Sequence, residues 1–116
     1  MLVAIDGQCN GRGVMDENQE LLVLAAKAAR IEAYWLPQER TMFVRKTFAE
    51  WNPLVDDGDA FRLAVELKMS VKLTDVRVSV LRRDHDGSVS EPLGDDPAFA
   101  TRRAIVRAAA DIGRDK

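Results

Sequence analysis

Asp56, Asp57 and Asp59 place three carboxylates within four residues. Hard oxygen donors gathered on a loop suit Mg²⁺ or Ca²⁺. The Ca²⁺-loop pattern fails, because the twelfth residue counted from Asp57 is Lys68 where a glutamate is needed. A cap for the following helix, with its dipole met by acids, accounts for all three, and no metal is assigned. Arg103, Arg107 and Arg114 project within about 40° of one another on a helix of 3.6-residue period. With the pair Arg82-Arg83 they could grip phosphates or an acidic protein surface. A solvated helix face explains them too, and the net charge of -2 gives no long-range pull on nucleic acid.

Other candidates are thinner. His85 stands between Asp84 and Asp86, which could orient it as a base. No serine in a G-x-S-x-G context accompanies it, and Cys9 is far away in sequence. A solvated turn is the simpler account. Gly7, Gly11 and Gly13 lack the G-K-[ST] that a phosphate loop requires. Cys9 has no basic neighbour closer than Arg12, so no activated thiolate is expected. Trp51 is either a recognition anchor or, more simply, a core plug ahead of a helix. The residues singled out for binding are therefore Arg82, Arg83, Arg103, Arg107, Trp51 and Asp57, with no catalytic residue, metal or cofactor.

These side chains need elements to position them. Leu21, Leu24, Ala25, Ala28 and Ile31 share one face over Glu17 to Glu32, which predicts a first helix capped by Asp16. Ala33 to Leu36 and Thr41 to Lys46 have β-prone chemistry around Pro37-Gln38-Glu39-Arg40, which predicts a hairpin. Trp51 to Val55 is an entry turn. Asp56 and Asp59 nearly form a capping box for a second helix, Asp57 to about Lys68. Val71 and Leu73 alternate on one parity; Val76, Val78 and Val80 alternate on the other. A bulge or turn at Thr74-Asp75 reconciles them. After a turn at Asp84 to Gly87, Ser88 to Glu91 returns as a strand. Asp95-Asp96-Pro97 opens a third helix, with Gly113 as its expected stop.

The resulting order is α-β-β-α-β-β-α: an α+β fold with a small antiparallel sheet packed with three helices. Residues 1–14 read as an N-terminal extension, apolar enough over Met1 to Ile5 for a short extra strand and then loose and glycine-interrupted, and 15–116 as a single domain. The 116 residues are 47% hydrophobic and 31% charged, which suits one globular domain. One cysteine excludes an internal disulfide, and one histidine excludes the usual zinc sites. No apolar run approaches the roughly 20 residues of a membrane span, so a cytoplasmic protein is expected.

The segments Trp51-Asn52-Pro53-Leu54-Val55-Asp56-Asp57-Gly58-Asp59-Ala60-Phe61-Arg62-Leu63-Ala64 and Thr101-Arg102-Arg103-Ala104-Ile105-Val106-Arg107-Ala108-Ala109 carry a resemblance. Together they resemble small phage and prophage proteins of the ABA-sandwich type, related to the NinX-type phage proteins. The likeness covers about residues 15–116. It implies a sandwich of helices and antiparallel sheet, and no catalytic residues. It also implies a non-enzymatic accessory protein that binds a host protein or defence complex, such as a CRISPR system, as an inhibitor. Nucleic-acid binding through the arginines, or a metal-dependent nucleotide site at the aspartates, remain the alternatives. A homodimer is a further expectation, since Phe48, Phe61 and Phe99 exceed what one small core holds and the first helix is apolar over a wide arc.

Overall fold

The computed structural model describes residues 16–83 and 87–115. The elements run α1 (Glu17–Ala29), β1 (Ala33–Leu36), β2 (Thr41–Val44), β3 (Glu50–Trp51), α2 (Asp57–Glu66), β4 (Ser70–Leu73), β5 (Arg77–Leu81), β6 (Ser88–Pro92) and α3 (Pro97–Asp115). The fold is α+β, as the sequence pattern indicates. Each β segment holds one strand more than expected, and the strands form two three-stranded antiparallel sheets rather than one. The parity change at Thr74-Asp75 is a turn, with the Thr74 N–H donating to the Arg77 carbonyl at 2.9 Å.

The helix starts follow their capping residues. Asp16 accepts from the Gln19 N–H at 2.7 Å, Asp56 from the Asp59 N–H at 2.7 Å, and Asp96 from the Phe99 N–H at 3.0 Å. Each carboxylate satisfies one of the unpaired donors at a helix N-terminus and meets its positive dipole. The ends differ from expectation. α1 stops at Ala29, where Arg30 turns left-handed (φ 59) and the Ile31 N–H reaches back to the Ala26 carbonyl. α2 closes alike, with Lys68 at φ 55 and the Met69 N–H on the Ala64 carbonyl. Both are Schellman-type stops made without the usual glycine.

Gly113 is not a stop. α3 runs through it to Asp115, and the glycine is buried against α1. α3 is the central element, packed on α1, α2, β5 and β6. Its alanine-rich surface (Ala100, Ala104, Ala108, Ala109 and Ala110, all buried) lets neighbouring backbones approach closely. α1 lies between α3 and β1, so its wide apolar arc is buried on two sides within one chain. In the first sheet Trp35, Met42 and Trp51 are cross-strand neighbours on one face, with Met42 and Trp51 in the core. Tyr34 and Phe43 stack on the other face, and the Arg45 guanidinium lies 5.7 Å from the Tyr34 ring centre. No helix among the described residues is long and apolar enough to cross a membrane.

Candidate functional site

The turn before α2 is built around Asn52. Its Nδ2 donates to Thr41 Oγ1 at 3.1 Å, and its Oδ1 accepts from the Leu54 N–H at 3.1 Å. Its own N–H donates to Asp59 Oδ2 at 2.9 Å. The capping box is thus half made: Asp56 caps Asp59, but the Asp59 carboxylate serves Asn52 and Arg62 instead of returning to Asp56. Asp57 pairs with Arg102 at 2.7 Å. The three aspartates are spent on a cap, a turn and an ion pair. Among the described residues no three His, Cys, Asp or Glu side chains gather as a metal site.

Trp51 is buried in β3, so it offers no surface for the anchor role. The arginine stripe is engaged within the chain. Arg103 and Arg107 converge on Glu91 of β6, and Arg103 also reaches Glu17 at 3.3 Å. Arg114 pairs with Asp111 at 2.8 Å. Arg82 stands 3.5 Å from Asp115, near the far end of α3, and Arg83 is exposed beside it. From Arg103 to Asp115 the helix rises about 18 Å. The six residues singled out from sequence therefore do not form one site. His85, Cys9 and the glycines Gly7, Gly11 and Gly13 lie outside the described residues, as does the 1–14 extension.

A different feature stands out. Residues of α2, β4 and the first turns of α3 line an apolar groove of about 670 Å³. Phe61 and Val65 of α2 line one wall, Val71 and Leu73 of β4 the other, and Ala98 and Ile105 of α3 the floor. Val71 pairs with Val80 and Leu73 with Val78. The β5 valines are 0% exposed beneath α3, whereas Val71 is 39% and Leu73 59% exposed. The helix layer ends before β4, so the same sheet face passes from core to open surface over one strand. Phe61 is 69% exposed opposite them.

Charge borders the groove at both ends. The Asp57–Arg102 pair closes one end, where Arg102 also donates through Nε to the Leu54 carbonyl at 2.8 Å. Lys68 lines the other, and Lys72 stands between Val71 and Leu73 on the opposite face of β4. Neither lysine has an ion-pair partner among the described residues. Arg102 escaped the sequence reading, although it sits among the apolar positions Ala98, Ile105 and Ala109, where a charge needs a partner. Compared with known protein families, curated proteins and solved structures, the chain matches none.

Proposed function

We propose that this is a non-catalytic binding protein whose α2–β4–α3 groove docks a segment of a partner protein. The observation that carries the reading is the uncovered face of β4, with Val71 and Leu73 open where their cross-strand partners Val80 and Val78 are fully buried. A groove walled by Phe61 and Val65 offers an aromatic anchor with aliphatic neighbours, the composition of interface centres. The arginines favour this reading over nucleic-acid binding, because Glu91 and Glu17 together balance Arg103 and Arg107 within the chain. A host protein is the class of partner we propose, following the resemblance of residues 51–64 and 101–109 to phage proteins. Inhibition of a host defence complex is the consequence we attach to it.

The test places a photo-crosslinking amino acid at Val65 and, as control, at Ser90 on the outward face of β6. The Val65 position is expected to capture one discrete protein from host cells, and Leu73→Glu is expected to abolish the capture. Equal capture from both positions, or none from Val65, overturns the proposal. Crosslinking of the chain to itself from Val65 replaces it with self-association.

A further inference from the structure

Among the described residues nothing pairs with the outer edge of β4, and the backbone of β4 shows what that edge offers. The Thr74 N–H donates to the Arg77 carbonyl, so Thr74 and Arg77 are a hydrogen-bonded pair of the β4–β5 ladder. Antiparallel ladders alternate, which makes Lys72–Ser79 and Ser70–Leu81 the next bonded pairs. The N–H and C=O groups of Val71 and Leu73 therefore point away from β5, toward the open edge. β5 confirms the parity from its other side, where the Leu93 N–H donates to the Val76 carbonyl. The two residues whose side chains line the groove are thus the two whose backbone groups face the edge, with no strand beside them among the described residues. All four residues of β4 are exposed.

We infer that the groove takes an extended, acidic segment of the partner as a fourth strand of the second sheet, antiparallel or parallel to β4. The inference rests on the docking reading above and names the chemistry of what docks. Main-chain bonds to Val71 and Leu73 would supply register, and alternate apolar side chains would enter between Phe61, Val65 and Ile105. The charge follows from the lysines. Lys68 flanks the groove, and Lys72 lies on the outer face of the edge strand, where a neighbouring strand's other side chains would stand. Glutamate or aspartate at those alternate positions would pair with them. A second copy of this chain fits less well in the register that pairs Val71 with Leu73, because it sets the two Lys72 side chains directly opposite, where like charges are unfavourable.

The probe is a soluble eight-residue peptide that alternates valine and glutamate over its central positions. Its binding is read by fluorescence anisotropy, and hydrogen exchange is followed at the Val71 and Leu73 amides. The peptide is expected to bind and to slow exchange at both amides while the central-strand Ser79 amide is unchanged. The same peptide with lysine for glutamate, or with N-methylated valines, is expected not to bind. Lys68→Gly/Lys72→Ser is expected to weaken binding about fivefold, from two exposed charge pairs. Glycine fits the left-handed backbone at position 68, so the fold is retained. Equal binding of the lysine peptide, or of the N-methylated one, overturns the inference. No binding of the glutamate peptide does so as well. If Val65 still captures a partner protein in any of these cases, docking stands and only the acidic strand is lost. If Val65 captures nothing, both fall.

Discussion

Gly113 of α3 lies flush against Leu24 of α1: a Cβ on the glycine would stand 2.1 Å from the Leu24 carbonyl oxygen. Backbone is what it meets, so no flexible side chain can swing aside. Alanine ordinarily gains about 1 kcal/mol over glycine inside a helix. Here the two helices must separate, and overpacking of this kind costs about 1–3 kcal/mol. Gly113→Ala is expected to lower the urea midpoint despite its better helix propensity. An unchanged or higher midpoint would show that the α1–α3 contact yields freely.

Arg102 and Asp57 are unequal partners. The Arg102 side chain is 16% exposed and holds the Leu54 carbonyl as well as the carboxylate, while Asp57 is 79% exposed. Arg102→Met is expected to cost about 1–3 kcal/mol, since it leaves a part-buried carbonyl unpaired. Asp57→Asn removes only an exposed ion pair and is expected to cost less than about 1 kcal/mol. Chemical denaturation of both variants checks the ranking, and equal losses would contradict it.

Asn52 joins β2, its own turn and the start of α2. Asn52→Ala strips two hydrogen bonds and strands the buried Thr41 hydroxyl, which predicts a loss of about 2–3 kcal/mol. Asn52→Ala/Thr41→Val removes the stranded group and is expected to recover part of that loss. A double-mutant cycle measures the recovery. Strictly additive losses would mean the side-chain pair contributes nothing.

Glu91 holds Arg103 and Arg107 together and is itself mostly buried. Glu91→Gln leaves two cations side by side with one formal charge fewer between them. It is expected to destabilise the chain by about 1–3 kcal/mol and to create salt-sensitive retention on DNA that the native chain lacks. Retention by the native chain at physiological salt would instead revive the arginines as a binding surface.

The groove side chains are expected to behave in the opposite way to the core. Phe61→Ser and Leu73→Ser remove exposed apolar surface, so stability is expected to stay within about 0.5 kcal/mol of the native chain. Thermal melts check this. A large loss from either would make that side chain a structural support and weaken its case as a docking contact.

Helix starts, the fold class and the break at Thr74-Asp75 were all legible, because each is written in local chemistry: a capping aspartate, a 3.6 period, a change of parity. What was not legible depends on elements that meet only in three dimensions. Arg30 and Lys68 end helices with a left-handed turn that nothing marks as the glycine signal would. Gly113 looked like that very signal, yet its role is close packing. β3 is two residues long, below what any period reveals. The alternation of Val71 and Leu73 correctly marked one face of a strand, but no pattern along the chain says where the covering helices stop. Phe48, Phe61 and Phe99 proved surplus to the core, as their number suggested, and all three are exposed. The ion pairs of the arginine stripe were not legible, because Glu91 and Glu17 stand on other elements.

α3 contacts α1, α2 and the second sheet, and it follows all of them in the chain. During synthesis the earlier elements therefore emerge before the surface they pack on exists. α1, with Leu21, Leu22 and four buried alanines, must wait more than 65 residues for its main partner. Such late closure favours folding only once α3 has emerged from the ribosome, and it leaves the earlier elements open to chaperones until then. The same order makes α3 the element whose loss would uncover α1, α2 and the second sheet together, while the pairings within each sheet do not depend on it.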